Sequence, residues 1–266
     1  MTDIIDRLFD VITGDDDEPD DGVAVAGSPL SGPPTTTIPE VIARMEAIQA
    51  WVEDRAARGQ HDGIAAFNFL YTIITRRVDE WVNEGEFADK AFITELDVVF
   101  ANRYLDALRA LAADPDSAPK AWDALFDKRS ERNVAPLQFA VAGVNAHVNF
   151  DLPHAVVTTC ENLGVELGAG TQRADYERIN EIFALEMEDL RQHFQSRFER
   201  WIDENVLAHV FNVLGNWKVD KARDFAWESA EVLWDIRNNG TAERLYTRTL
   251  DSSIGVIGRQ LLVHLP

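Results

Sequence analysis

The chain of 266 residues carries 46 acidic against 25 basic side chains, a formal net charge of −21. That surplus repels a phosphate backbone, and no Lys/Arg cluster offsets it locally, which argues against nucleic acid and anionic membrane surfaces as partners. Hydrophobic residues make up 46%, enough to build a core without staples, and Cys160 is the only cysteine, so a disulfide framework, thiolate zinc sites and iron–sulfur clusters are excluded within one chain.

No stretch reaches the roughly 18 apolar residues of a membrane span. The first residues carry Asp3 and Asp6, which is wrong for a signal peptide, so the expected location is the cytoplasm. Ile4, Ile5, Leu8 and Ile12 repeat at helical spacing, so 1–13 reads as a short amphipathic helix that could meet a protein partner. The acidic run Asp15 to Asp21 and the Gly/Pro/Ser/Thr-rich sequence after it make 14–37 a disordered linker. A single helical domain is expected over 38–266.

Within that domain the predicted elements are all helices. Thr37 and Glu40 form a capping box for a helix running to Arg58. Asp62 caps a second, with Phe67, Leu70, Tyr71, Ile74 and Val78 on one stripe, ending near Gly85. A third spans about 88–113 on the stripe of Ile93, Leu96, Phe100 and Tyr104, and Asp114-Pro115 stops it. Ser117 restarts a short helix containing Trp122 and Phe126, and Pro136 sits in the first turn of the next. The glycines Gly164, Gly168 and Gly170 mark a loop; no strand precedes them, so they are no phosphate cradle. Helices follow over about 174–200, 201–215 and 217–236, the last closed by Asn238-Asn239-Gly240. Thr241 caps a final helix with an expected interruption near Gly255. The fold class is all-α, a multi-helix bundle-like domain.

Polar chemistry concentrates in Gly143 to His154, where two asparagines, two histidines and an aspartate interrupt apolar sequence. Asn145 and Asn149 share one helix face, while His147 and Asp151 share another, which His154 extends. Pro153 lacks the N–H that would bond the carbonyl of Asn149, so the helix should kink beside His147 and Asp151. An imidazole and a carboxylate one turn apart suit two tasks: ligands for a divalent metal such as zinc, iron or manganese, or a base oriented by an acid. Equally, they could simply satisfy one another in the core, with the asparagines tying helices together.

The run Gly143-Val144-Asn145-Ala146-His147-Val148-Asn149-Phe150-Asp151-Leu152-Pro153, with Phe87-x-Asp89 and Leu96-Asp97-x-x-Phe100-Ala101-x-x-Tyr104 upstream, resembles the bacterial family of domain of unknown function 5995. The resemblance implies a helical fold and no particular activity. Locally, His147-x3-Asp151-x-Pro153-His154 is similar to the metal-binding helix of zinc-dependent phospholipase C and single-strand nucleases, although the later histidine there lies further along the chain. That likeness implies His147, Asp151 and His154 as metal ligands, and the stripe position of Asp97 makes it the best supplementary ligand. Two readings stay open. One is a metal-dependent, phosphoester-directed hydrolase with His147 and Asp151 as catalytic residues and an unknown small-molecule substrate. The other is a non-catalytic helical binding or scaffold protein in which the His/Asn/Asp cluster is a clasp. A helical di-iron oxidase is disfavoured because the chain has no Glu-x-x-His motif.

Overall fold

Each apolar stripe in the central part of the sequence needs a partner to bury it, and the computed structural model shows how they pair. It describes residues 28–198 and 219–263, with side chains from 187 to 198 not described. The described elements are α1 (Ile38–Ala56), α2 (Ile64–Glu84), α3 (Lys90–Ala113), α4 (Lys120–Lys128), α5 (Pro136–Ala146), a π-helical turn (His147–Asp151), α6 (Leu152–Leu163), α7 (Gln172–Phe198), α8 (Val219–Ile236) and α9 (Gly240–Leu261). No strand occurs among the described residues. No helix among them is long and apolar enough to cross a membrane. The expected helices over 1–13 and 201–215 lie outside the described residues.

Local chemistry explains most boundaries. The Thr37 hydroxyl accepts from the Glu40 N–H at 3.3 Å, and the Glu40 carboxylate returns a bond to the N–H of Thr36 rather than Thr37. Asp62 accepts from the Ile64 N–H at 3.1 Å, and Asp89 from that of Phe92 at 3.0 Å. Gly85 ends α2 at φ 80, a left-handed position that costs glycine little.

Four expectations need correction. Packed structure begins at Ser28, inside the segment read as a linker to residue 37. Leu30 is buried, and Asn102 of α3 accepts from the Thr35 N–H at 2.9 Å while donating to its carbonyl at 2.8 Å. The turn around Ser117 is a short 3₁₀ segment, and α4 starts only at Lys120, after Pro119. Asn239, read as part of a stop signal, instead caps α9 by accepting from the Ala242 N–H at 3.2 Å, and α9 runs unbroken through Gly255. A Cβ at Gly255 would lie 2.4 Å from the carbonyl oxygen of Lys120, so the glycine permits close approach of α9 and α4 rather than interrupting α9.

The architecture has a core rod, α5–π turn–α6, enclosed by other helices. α2, α4 and α9 pack on α5; α3 and α8 pack on α6; the π turn touches α3, α8 and α9. α7 closes the remaining side by leaning on α2, α3 and α8. This places the polar run of the sequence near the centre of the molecule, and every residue from Phe139 to Pro153 is buried.

Candidate functional site

The core rod changes its hydrogen-bonding register at His147. The Leu152 N–H donates to the His147 carbonyl, five residues back instead of four. Pro153 follows immediately and lacks a donor, so the regular ladder has to break in this region. The expected kink at the proline therefore takes the form of a widened turn just before it. Such π turns are rare and often accompany functional sites, because the extra residue redirects side chains.

Here the redirected side chains are His147 and Asp151. His147 Nδ1 lies 2.9 Å from Asp151 Oδ2, and the same oxygen accepts from Trp122 Nε1 of α4 at 3.0 Å. A carboxylate oxygen already accepting from an indole N–H fixes the imidazole tautomer: Nδ1 carries the proton and donates it to Asp151. Nε2 is left as a bare lone pair, buried and without a hydrogen-bond partner. The ring lies flat on Phe100, centroids 3.5 Å apart and planes 6° off parallel, with Tyr71 at 4.5 Å and Phe67 at 5.6 Å meeting it edge-on. Phe67 owes its place to Gly143, where a Cβ would come within 2.3 Å of the phenyl ring. Burial lowers the pKa of His147, and the bond to Asp151 only partly counters it, so the neutral ring is the resting form.

Beside this ring lies a cavity of about 40 Å³. Its walls come from α2, α3, α5, the π turn, α6, α7 and α8, and are hydrocarbon except for Tyr71, Asp97, His147 and Arg223. Asp97 Oδ2 is buried without a hydrogen-bond partner. Burial, aided by the charge of Asp79, pushes its carboxyl up to about 8, so at neutral pH Asp97 is mainly protonated. Burial, with help from Asp97, also holds the Tyr71 phenol well above its ordinary range. Its hydroxyl lies near Thr75, but neither has a well-formed hydrogen bond. Two of the residues singled out in the sequence, His147 and Asp97, thus line one cavity.

The others do different things. Asp151 stands behind the imidazole, on the Nδ1 side, so the two residues converge on each other and not on a shared third atom. His154 packs edge-on to Phe150, ring centroids 5.3 Å apart, and is not part of the cavity wall. Burial, with the nearby positive charge of Arg103, pushes its imidazole down to about 3. Asn149 Nδ2 donates to Asn145 Oδ1 at 3.1 Å, and Asn145 Nδ2 to the Ile254 carbonyl at 3.2 Å, tying the rod to α9. Among the described residues no group of three or more His, Cys, Asp or Glu side chains gathers as metal ligands.

Sequence reasoning missed the site role of Trp122, Phe100, Tyr71 and Arg223. The first three were read as core aromatics, which they also are; no local pattern marks them as neighbours of His147. Arg223 sits on a helix with an ordinary amphipathic pattern, and only tertiary packing reveals that its guanidinium is buried.

Comparison with known proteins completes the picture. A family model described as a family of unknown function (DUF5995) matches residues 38–264. No curated protein matches, and no solved structure does. A match over most of the chain shows membership: the chain belongs to the DUF5995 family.

Proposed function

We propose that this DUF5995 member binds a small, largely apolar molecule in the cavity at the π turn and performs acid–base chemistry on it without a metal. His147 is the base, Asp151 the group that orients it, and Asp97 the acid. The observation that supports this reading is the pair of orphaned atoms, His147 Nε2 and Asp97 Oδ2, on residues that line one apolar cavity. A buried polar atom without a partner costs roughly 1–3 kcal/mol, so a molecule in the cavity that bonds both atoms would gain affinity by relieving that cost.

Physically, the two groups complement each other. A neutral imidazole can remove a proton, and the imidazolium it becomes is held by the carboxylate of Asp151. A protonated Asp97 can return a proton elsewhere on the molecule. Base and acid both begin neutral, so the exchange leaves the net charge of the dry cavity unchanged, which low polarity favours. Isomerisation or elimination on a small carbon skeleton is the reaction class this serves.

A metal-dependent hydrolase fits less well. His147 could offer Nε2 and Asp97 one carboxyl, but Asp151 is engaged by His147 and Trp122, and His154 lies outside the cavity wall. A purely structural clasp accounts for Asn145 and Asn149, and for one side of His147; it gives no partner to Nε2.

Nitrogen-15 NMR of histidine-labelled protein tests the reading. At neutral pH His147 should show a protonated Nδ1 and a bare Nε2, and ethanol, a small molecule with one donor, should shift the Nε2 resonance saturably. In deuterated water the protein should also speed exchange at the α-carbon of acetone, with His147→Gln about 100-fold slower, the scale of one general base. A shift-free Nε2 with ethanol in large excess, together with no exchange above background, would leave only the structural clasp.

A further inference from the structure

The fourth polar residue of the cavity has no role in proton transfer and poses its own question. Arg223 of α8 is only 2% exposed, yet no carboxylate among the described residues pairs with it. The neighbouring Asp224 is taken by Arg173, at 3.0 Å, and by Lys221, at 3.1 Å. What Arg223 does have is one donated bond to the Tyr176 carbonyl, at 2.6 Å, and the faces of Tyr176 and Phe183, at 4.1 and 5.8 Å from its guanidinium carbon. Its Nε–H is buried with no acceptor. Guanidinium stays charged in proteins, and although Asp224 lends it some opposite charge, no carboxylate among the described residues bonds it.

A lone buried cation is costly unless an anion completes it. The other polar wall groups do not supply one: His147, Tyr71 and the mainly protonated Asp97 are neutral near pH 7. The Tyr176 and Phe183 rings brace the guanidinium in one orientation, which suits the flat, two-pronged bonding a carboxylate makes with arginine. From these observations we infer that the cavity's ligand is a small monocarboxylate with an apolar body, its carboxylate held by Arg223. The inference rests on the cavity reading above and adds the class of molecule: an aliphatic carboxylic acid of two or three carbons whose non-carboxylate end reaches toward His147 and Asp97.

Calorimetry on the full chain with acetate and with ethanol, equal in length, differing in charge and small enough for the cavity, tests it. Acetate should bind at least about tenfold tighter than ethanol, the scale of one charge-assisted bond. Arg223→Met should erase that preference by weakening acetate alone, and Arg223→Lys should restore part of it. Equal binding of acetate and ethanol to the unmodified protein overturns the carboxylate assignment while leaving the cavity reading intact. Binding of neither, with no ethanol response at His147, sinks both together. Because the ligand pair is compared on the unmodified protein, the result stands even where Arg223→Met fails to fold.

Discussion

The two nitrogens of His147 and the two oxygens of Asp97 show how unequal burial creates chemistry from ordinary residues. Only one side of each group meets a protein partner or none at all, and burial then sets the charge state: neutral imidazole, neutral carboxylic acid. For Asp97 this has a thermodynamic signature. In the unfolded chain its carboxyl ionises near the usual pKa of about 3.9, whereas in the fold it holds its proton up to about 8. A carboxyl raised in this way contributes stability that is complete at low pH and is lost as pH climbs toward the folded value, because the unfolded chain releases the proton first. The buried histidines act in the opposite sense. Pushed down by burial, His61 to about 4 and His154 to about 3, with His147 also lowered, they stabilise the fold less as pH falls below about 6.5. Between about pH 7 and 8 they are neutral in both states, and Asp97 dominates. Urea melts across that window should show stability declining by about 1 kcal/mol per pH unit, and Asp97→Asn should flatten the slope whatever it does to absolute stability. A wild-type curve already flat there would show that Asp97 is ionised in the fold.

Among the elements, legibility followed locality. Caps and stops that need only a few residues, such as Thr37, Asp62, Gly85 and Pro136, were readable because the backbone groups they satisfy lie within one turn. Pro153 correctly announced a disturbed ladder, but a missing donor does not say whether a helix kinks or widens; that choice is made by what packs around it, here Phe100, Trp122 and α8. Gly255 was legible as unusual and illegible in purpose, since its need is the carbonyl of Lys120, more than a hundred residues away. The same distance effect hid Arg223. α7 introduces a dynamic question, because every residue lining the cavity is at most 9% exposed, so a ligand enters only when a wall moves. Polar ties, two of them from the buried carboxylates of Asp175 and Glu186, help to hold α7. Asp175 accepts from the N–H groups of Ala88, at 2.9 Å, and Asp89, at 2.6 Å; Arg178 pairs with Glu86; Arg77 Nε meets Glu186 at 2.8 Å. Tyr176, Ile179, Ile182 and Phe183 also bury α7 in the core, but α7 joins fewer neighbours than the rod and depends in part on these polar ties, which water can replace, so α7 is the wall expected to swing. Glu186→Gln weakens the innermost tie while keeping its shape. Hydrogen exchange should then report α7 amides opening more readily by about 1–2 kcal/mol, with amides of α3 and α6 unchanged; uniform acceleration would point to global destabilisation and no mobile wall.

At the scale of the whole molecule, family membership and physical packing do not share a boundary. The family model begins at residue 38, where α1 starts, yet the fold already uses the ten residues before it. Leu30 is 5% exposed, a short 3₁₀ turn from Pro29 to Ser31 rests on α1 and α3, and Thr35 and Asn102 exchange three hydrogen bonds. Such a segment acts as a strap across α3, the helix that also supplies Phe100 and Asp97 to the cavity. Removing the strap opens the site that Leu30 fills and strands the Asn102 amide, a loss of about 1–3 kcal/mol on the scale of one buried leucine or one broken hydrogen-bond pair. Comparing a chain that starts at Ser28 with one that starts at Ile38 isolates this contribution. For a domain of this size 1 kcal/mol moves the melting temperature by about 2–4 °C, so the shorter chain should melt roughly 2–12 °C lower. Asn102→Ala in the longer chain should reproduce part of the loss, since it leaves the Thr35 N–H and hydroxyl without their acceptor. Coincident melting of the two chains would mean that the strap's contacts only balance its entropy, and that α3 holds Asp97 and Phe100 in place without it.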